Sequence, residues 1–547
     1  MYDNQDDKPK GAKKALDVKS GTERRMRDNI SVRKRAHMDR IKQVRGEGND
    51  PAPETVFAPS AEPNPQGSMN PMDYDQSSPP ATIPLALLPQ FVAMVMSNDM
   101  NQIFHGTLMV RKLLSVEASP PINEVVQTGV VPALVELLKR SDNPQLQFEA
   151  AWALTNIASG NHENSLVVIQ ANAVPQFLEL LRSTYTDCRE QSTWALGNLA
   201  GEGGACRDYL LQMNVMDPLL MLLSTEGEAL AVMRNATWTL SNLCRSKPQP
   251  PLEQVGVALP VLASLLNYPD DEVCGDAAWA ISYISDGPNE RIQAVLESGV
   301  LTRIVELLRA PSTAIQTPAI RTIGNIATGN ELQTQTIINA GSLPSLIQLL
   351  YSPKRAIRKE TCWTVSNIAA GTRHQIEALI EGNVYPSIIK CLQGTELDVK
   401  KEAAWAVANL CSSGISAHIQ YLVEIGIIPP LCEVLSVYDP KIVCVALEAL
   451  ENILRIGESL KAETSAEANY YAQEVESCGG VDRMEELQTH TNEEVYNLAL
   501  NILETYFGAE DIGGGTGAGA GDFGNFGGFG NFGAGGGGGD APEQFSF

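Results

Sequence analysis

One phrase recurs through the middle of the chain and constrains most of what it can fold into. It reads Gly129-VVPALVELL at its first clear occurrence and starts again at Ala173, Val215, Ala258, Gly299, Gly341, Asn383 and Gly426. A second phrase follows each by some twenty residues: Trp152-ALTN, Trp194-ALGN, Trp238-TLSN, Trp279-AISY, Arg321-TIGN, Trp363-TVSN, Trp405-AVAN and Glu448-ALEN. Successive starts of this second phrase are 42, 44, 41, 42, 42, 42 and 43 residues apart. A chain of 547 residues with such a period is a stack of like units.

The local signals within each unit are helical. Gly or Asn ends one helix, and a Pro a few residues later suits the first turn of the next, where its missing N–H costs nothing. The segment ending in two leucines forms one helix and the Trp-containing segment another. A period near 42 residues with two or three helices per unit is the armadillo/HEAT pattern. A single unit cannot bury its own apolar stripe, so the units must stack. The expected fold is all-α: a right-handed armadillo-repeat α-solenoid of about ten repeats over residues 83–507, with less regular end units near Ile83 and Phe507.

The flanks differ from this body. Residues 1–50 hold 14 Lys and Arg against 9 Asp and Glu, whereas the whole chain carries a net charge of −25. The positive residues cluster at Lys13-Lys14, at Arg24, Arg25 and Arg27, at Arg33, Lys34 and Arg35, and at Arg40, Lys42 and Arg45. A basic arm on an acidic body reads as an interaction tail. Residues 51–82, rich in Pro, Ser and Asn, read as a flexible linker. Residues 508–547 are Gly-rich with Phe-Gly steps at Phe523, Phe526, Phe529 and Phe532, and read as a disordered tail.

Several function classes are excluded at this level. A net charge of −25 opposes sequence-independent nucleic-acid binding. No uninterrupted apolar run of about 18 residues exists to span a membrane, and the start MYDNQDDKPK is no secretory signal. The ten cysteines are scattered without a CxxC pair, as free, mostly buried thiols of a reducing compartment would be. The six histidines (His37, His105, His162, His374, His418 and His490) do not cluster, and no nucleophile or metal motif appears, so neither enzyme nor cofactor is expected. The glycines Gly517, Gly519 and Gly521 lack the strand and helix that a phosphate loop requires.

The helical wheel decides what the tryptophans do. At about 100° per residue, Ala150, Ala151, Leu154, Ile157 and Ala158 fall opposite Trp152, Asn156 and Glu149. The same holds for Trp194, Trp238, Trp363 and Trp405. Trp and Asn are therefore expected to face away from the core and to line up in open rows on the inner, concave surface. An Asn amide is donor and acceptor at once and can hold an extended peptide backbone whatever its side chains. Neighbouring indoles form slots for the stems of Lys or Arg, worth about 0.5–2 kcal/mol per cation–π pair. Three residues before each Trp stand Glu149, Gln191, Asn235, Asp276, Glu360 and Glu402, mostly acidic and suited to the cationic heads. The expected ligand is an extended Lys/Arg-rich peptide.

With the Trp-x-x-x-Asn ladder, the 42-residue repeat and the basic arm together, the chain resembles importin-α (karyopherin-α), the nuclear-import adaptor family, over about residues 83–507 and more loosely over 8–45. Even the interruptions at Trp279-AISY and Arg321-TIGN match. The resemblance implies two sites for nuclear localisation signals. A major site would use Trp152, Asn156, Trp194, Asn198, Trp238 and Asn242 with Gln191 and Asp276, and a lysine pocket of Gly160, Ser165 and Glu202. A minor site would use Tyr283, Arg321, Asn325, Thr328, Glu360, Trp363, Asn367, Glu402, Trp405 and Asn409. It further implies importin-β as partner of Arg24, Arg25, Arg27, Arg33, Lys34 and Arg35, recycling by an exportin with Ran-GTP, and shuttling between cytoplasm and nucleus. Glu493, Glu494, Glu510 and Asp511 are candidate exportin contacts, and the Phe-Gly steps resemble nucleoporin repeats. The implied partners include neither nucleic acid nor membrane.

Two departures from the family pattern carry expectations. Glu202 stands where Asp is usual and Ser165 where Thr is usual, so lysine preference should persist with altered affinity. The late basic cluster, which in the family folds back as a self-ligand, is only Lys42-Gln-Val-Arg45 followed by Gly46, so autoinhibition should be weak. The competing reading, a catenin-like armadillo scaffold for acidic or phosphorylated partners, calls for a groove lined with Lys and Arg, where this one has Glu, Asp, Asn and Trp.

Overall fold

A computed structural model describes residues 83–116 and 119–508. The basic arm with Arg24, Arg25, Arg27, Arg33, Lys34 and Arg35, the linker, and the Gly/Phe tail with Glu510 and Asp511 lie outside the described residues. Every regular element described is helical, mostly α with two short 3-10 turns, so the all-α repeat expectation holds. The described residues fall into two compact units, one ending at Gln333 and one beginning at Thr334. No helix among them is long and apolar enough to cross a membrane.

In each repeat two short helices lead into a long third one. The third helices of the first unit are α1 (Met100–Leu114), α2 (Pro144–Ala158), α3 (Thr186–Glu202), α4 (Leu230–Leu243), α5 (Asp271–Ile284) and α6 (Thr313–Ala327). In the second unit they are α7 (Arg355–Ala369), α8 (Leu397–Ser413), α9 (Pro440–Thr464) and α10 (Glu493–Tyr506). Within each unit every one of these packs on the next.

The turn chemistry is the one the sequence signals. Gly129, Gly299, Gly341 and Gly426 take φ of 72°, 78°, 78° and 82°, and Asn172, Asn214 and Asn383 take φ of 60°, 57° and 56°. These are left-handed positions, where Gly carries no Cβ penalty and Asn carries a small one. A proline follows in the first helical turn in helices such as Val131–Leu137, Leu343–Leu350 and Tyr385–Gln393. Some third helices, α2 and α5 among them, start on side-chain caps: Asn143 accepts from Leu146 N, and Asp270 from Glu272 N and Val273 N.

The core is the expected one. Leu134, Phe177, Leu219, Leu262, Ile304, Leu346, Ile388 and Leu431, one per leucine phrase, are all fully buried. So is the apolar residue after each ladder position, from Ile157 and Leu199 to Leu410 and Ile453. Burying one such side chain contributes about 1.5–3 kcal/mol. Ion pairs tie successive repeats near the N-terminal ends of the third helices: Arg189–Glu228 at 2.7 Å, Arg234–Asp270 at 2.5 Å, Arg358–Glu396 at 2.6 Å and Lys401–Asp439 at 3.7 Å. All ten cysteines are free and nine are buried. Burial pushes the Cys244 and Cys411 thiols up to about 12, which keeps them protonated.

Candidate functional site

The ladder asparagines follow one rule. Asn198 Nδ2 donates to the Thr155 carbonyl at 3.1 Å, Asn242 Nδ2 to that of Gly197 at 3.0 Å, Asn325 Nδ2 to that of Ser282 at 2.8 Å, and Asn409 Nδ2 to that of Ser366 at 2.9 Å. In each case the acceptor is the residue just before the ladder position of the preceding repeat. Asn156, at the start, donates to Ser115 Oγ at 3.2 Å instead. One N–H of Asn198, Asn242 and Asn409 is therefore spent on the neighbouring repeat, while Asn325 Nδ2 also donates to Ser285 Oγ at 3.1 Å. This fixes the amide plane, and among the described residues no donor reaches Oδ1 of Asn198 or Asn242.

The expectation of open tryptophan rows is corrected. Trp152, Trp194, Trp238 and Trp363 keep 3%, 8%, 4% and 2% of their surface, while Trp279 and Trp405 are half-buried. The wheel counts one packed face, but a third helix has several. Helix α2 is flanked by α1 and α3 and by the helices Val131–Leu137 and His162–Gln170, so every residue from Ala150 to Ala158 is buried. The rings lie sideways onto the preceding repeat. A Cβ on Gly197 of α3 would overlap the Trp238 ring, so the glycine makes room for the indole of α4. Trp152 is tilted against Phe148 with centroids 5.5 Å apart, and the Arg111 guanidinium stands 4.2 Å above its centroid.

The expected cation partners divide. Glu149 is not available to a ligand: its carboxylate takes Arg111 Nε at 2.6 Å and a second guanidinium nitrogen at 3.2 Å. Gln191 on α3 is buried. Asn235 and Asp276 on α4 and α5 are half-buried. On α6 the equivalent position is Pro318, inside the helix.

The three residues assigned to the lysine pocket lie at the ends of neighbouring helices. Gly160 follows α2, and a Cβ there would press into the Asn164 side chain. That side chain closes a capping box with Asn161, both bonds at 3.0 Å. Gly160 thus has a structural role, repeated at Gly329 with Gln333 and at Gly371 with Gln375. Ser165 is buried and donates to the Ala158 carbonyl at 3.1 Å. Glu202 ends α3 with its side chain 25% exposed, and Oε1 lies 3.5 Å from His162 Nδ1. Burial raises the Glu202 carboxyl above the usual carboxylate range, with His162 opposing.

The residues expected of a second site fall in both units. In the first, Trp279 stacks on Tyr283 at 5.7 Å and 24°, Thr328 Oγ1 donates to the Asn325 carbonyl at 2.7 Å, and Arg321 is half-buried. In the second, Glu360, Trp363 and Asn367 on α7 and Glu402 and Asn409 on α8 are buried, beside half-buried Trp405. Glu493 and Glu494 open the first turn of α10, favourable ground for carboxylates at a helix N-terminus.

The repeat defines the class of the protein. Residues 118–159, 161–201, 205–245, 248–286, 288–328, 330–370, 372–412 and 416–455 each match the armadillo/β-catenin-like repeat, and 469–517 match an atypical Arm repeat. A crystal structure of an engineered protein superposes with a TM-score of 0.68 at 30% identity, over 76% of this chain and 98% of that one. Importin subunit alpha-2 of Arabidopsis thaliana is 54% identical over 91% of both chains. Importin subunit alpha-B of Dictyostelium discoideum is 53% identical over 77% of this chain and 82% of its own. Importin subunit alpha-1b of Oryza sativa subsp. japonica is 46% identical over 78% and 79%. The chain belongs to the importin-α family of armadillo-repeat nuclear-import adaptors.

Proposed function

We propose that this chain carries proteins with extended Lys/Arg-rich localisation signals into the nucleus, holding the signal along the ladder of α2 to α5 and handing the complex to importin-β through its basic arm. The observation that carries this reading is the amide row: Asn198 and Asn242 are each oriented by one N–H on the preceding repeat. Oδ1 then accepts from a peptide N–H, and the second amide hydrogen donates to a peptide carbonyl. Since the rings are largely covered, they act as walls that fix where a cationic stem enters. Glu202 and Asp276 supply counter-charge, with Gly160 and Ser165 shaping the wall beneath Glu202 and Gln191 adding a polar contact. On the second unit, Trp363, Asn367, Trp405 and Asn409 with Glu360 and Glu402 serve a second basic segment; on the first unit, Tyr283, Arg321, Asn325 and Thr328 are further contact residues for a basic segment.

The arm residues Arg24, Arg25, Arg27, Arg33, Lys34 and Arg35 serve importin-β, and an exportin with Ran-GTP returns the emptied adaptor through the acidic C-terminal end. The Phe-Gly tail offers nucleoporin-like steps. This cycle places the protein in both cytoplasm and nucleus. The test is capture by an immobilised Lys-rich signal peptide set against an immobilised acidic phosphopeptide. Retention on the basic peptide alone supports the adaptor; retention on the acidic one alone supports a catenin-like scaffold.

A further inference from the structure

Outside its basic arm the chain is strongly acidic, yet the helices that carry the second row of the ladder open on cations. Lys354, Arg355, Arg358 and Lys359 crowd the start of α7, Lys400 and Lys401 that of α8, and Lys441 that of α9. Arg355 pairs with Asp398 at 2.7 Å, Arg358 with Glu396 at 2.6 Å, and Lys401 more loosely with Asp439 at 3.7 Å. Among the described residues Lys354, Lys359, Lys400 and Lys441 stand in no ion pair.

Two of these cations bear on the row itself. Residues four apart share a helix face, so Lys359 stands one turn before Trp363, and Lys401 one turn before Trp405; both lysines are half-buried. In the first unit the same register holds Phe148, Glu190, Arg234, Gly275 and Thr317. Its one cation, Arg234, is taken by Asp270 and Glu272 at 2.5 and 3.2 Å. The acidic members of the second row, Glu360 and Glu402, lie deeper, with 1% and 4% of their surface exposed, so the lysines set the charge of the rim.

We propose that Lys359 and Lys401 are specificity-determining residues of the second unit: they select a signal in which Asp or Glu stands between the Lys/Arg residues. The inference rests on the basic-peptide reading and names the ligand of its second row. Successive side chains of an extended chain point to opposite sides. An uninterrupted Lys/Arg run therefore sets its alternate cations against this rim, whereas carboxylates at those positions pair with it. A partly exposed pair of this kind changes affinity about threefold.

The test uses the full chain carrying Trp194→Ala with Asn198→Ala, which weakens the first row, and two synthetic peptides at low ionic strength. In one peptide Ala separates four Lys/Arg residues; in the other Glu replaces each Ala. The readout is the dissociation constant of the Ala peptide divided by that of the Glu peptide. Adding Lys359→Gln with Lys401→Gln should lower this ratio about tenfold. Lys359→Gln alone, which leaves the Lys401–Asp439 pair intact, should lower it about threefold. Lys354→Gln with Lys441→Gln makes the same change of net charge away from the row and should leave the ratio within about twofold. An unchanged ratio in folded Lys359 and Lys401 variants, or an equal fall in the Lys354 and Lys441 control, overturns the proposal. Failure of both peptides to bind overturns the basic-peptide reading of the second row, and the proposal with it.

Discussion

Asn242 Nδ2 donates to the carbonyl of Gly197, 45 residues earlier, at 3.0 Å, and Gly197 is also where the Trp238 ring of the same helix is seated. One glycine thus receives both ladder side chains of the following repeat. The feature read from sequence as a ligand-binding row is at the same time the joint between repeats.

That joint is testable by stability. Gly197→Ala places a methyl against an indole that cannot withdraw, and overpacking of this kind costs about 1–3 kcal/mol. Asn242→Ala removes one buried hydrogen bond, at about 1 kcal/mol. Urea denaturation of both variants should show the alanine at 197 as the more damaging.

The ion pairs between repeats give a pH dependence. The Arg234 guanidinium holds the Asp270 carboxyl below the ordinary carboxylate range. A depressed folded-state pKa stabilises the protein above the unfolded value of about 3.9, and the contribution is lost as pH falls through the lower folded value. Thermal melts from pH 6 down to 2.5 should therefore fall less steeply for Asp270→Asn than for wild type across the acid end.

Glu202 reports on the lysine pocket. Removing a carboxylate that holds an ammonium costs more than about 1 kcal/mol. Glu202→Ala should weaken a Lys-rich signal peptide by at least that in titration calorimetry. A smaller loss means that this carboxylate does not hold the lysine.

Deleting residues 1–70 removes the arm and its short basic cluster of Lys42 and Arg45. Fluorescence titration of a labelled signal peptide should then show affinity rising several-fold. A hundred-fold rise would establish strong self-inhibition.

The repeat was legible because its signals are local. Spacing, Gly129 and its counterparts at left-handed φ, and the once-per-repeat leucines each depend on a few neighbouring residues, and the structure reproduces them. The Trp orientation was not. A wheel for α2 cannot know that α1 and α3 close both of its sides, nor that Arg111, 38 residues before Glu149, lies over Trp152. The structural part of Gly160 was missed as well, although the shared Gly160/Asn164, Gly329/Gln333 and Gly371/Gln375 spacing was there to signal a cap. Glycines at 197 and 201, one helical turn apart on α3, were the available hint that an indole and an amide pack against that face.

The most direct measurement is isothermal titration of a bipartite basic peptide into the wild-type chain and into Trp194→Ala with Asn198→Ala, with circular dichroism confirming that both are helical. Saturable binding to wild type and a loss of tenfold or more in the folded variant are expected. Equal affinity for the two proteins, or no binding to wild type, would contradict the ladder's role in holding the peptide.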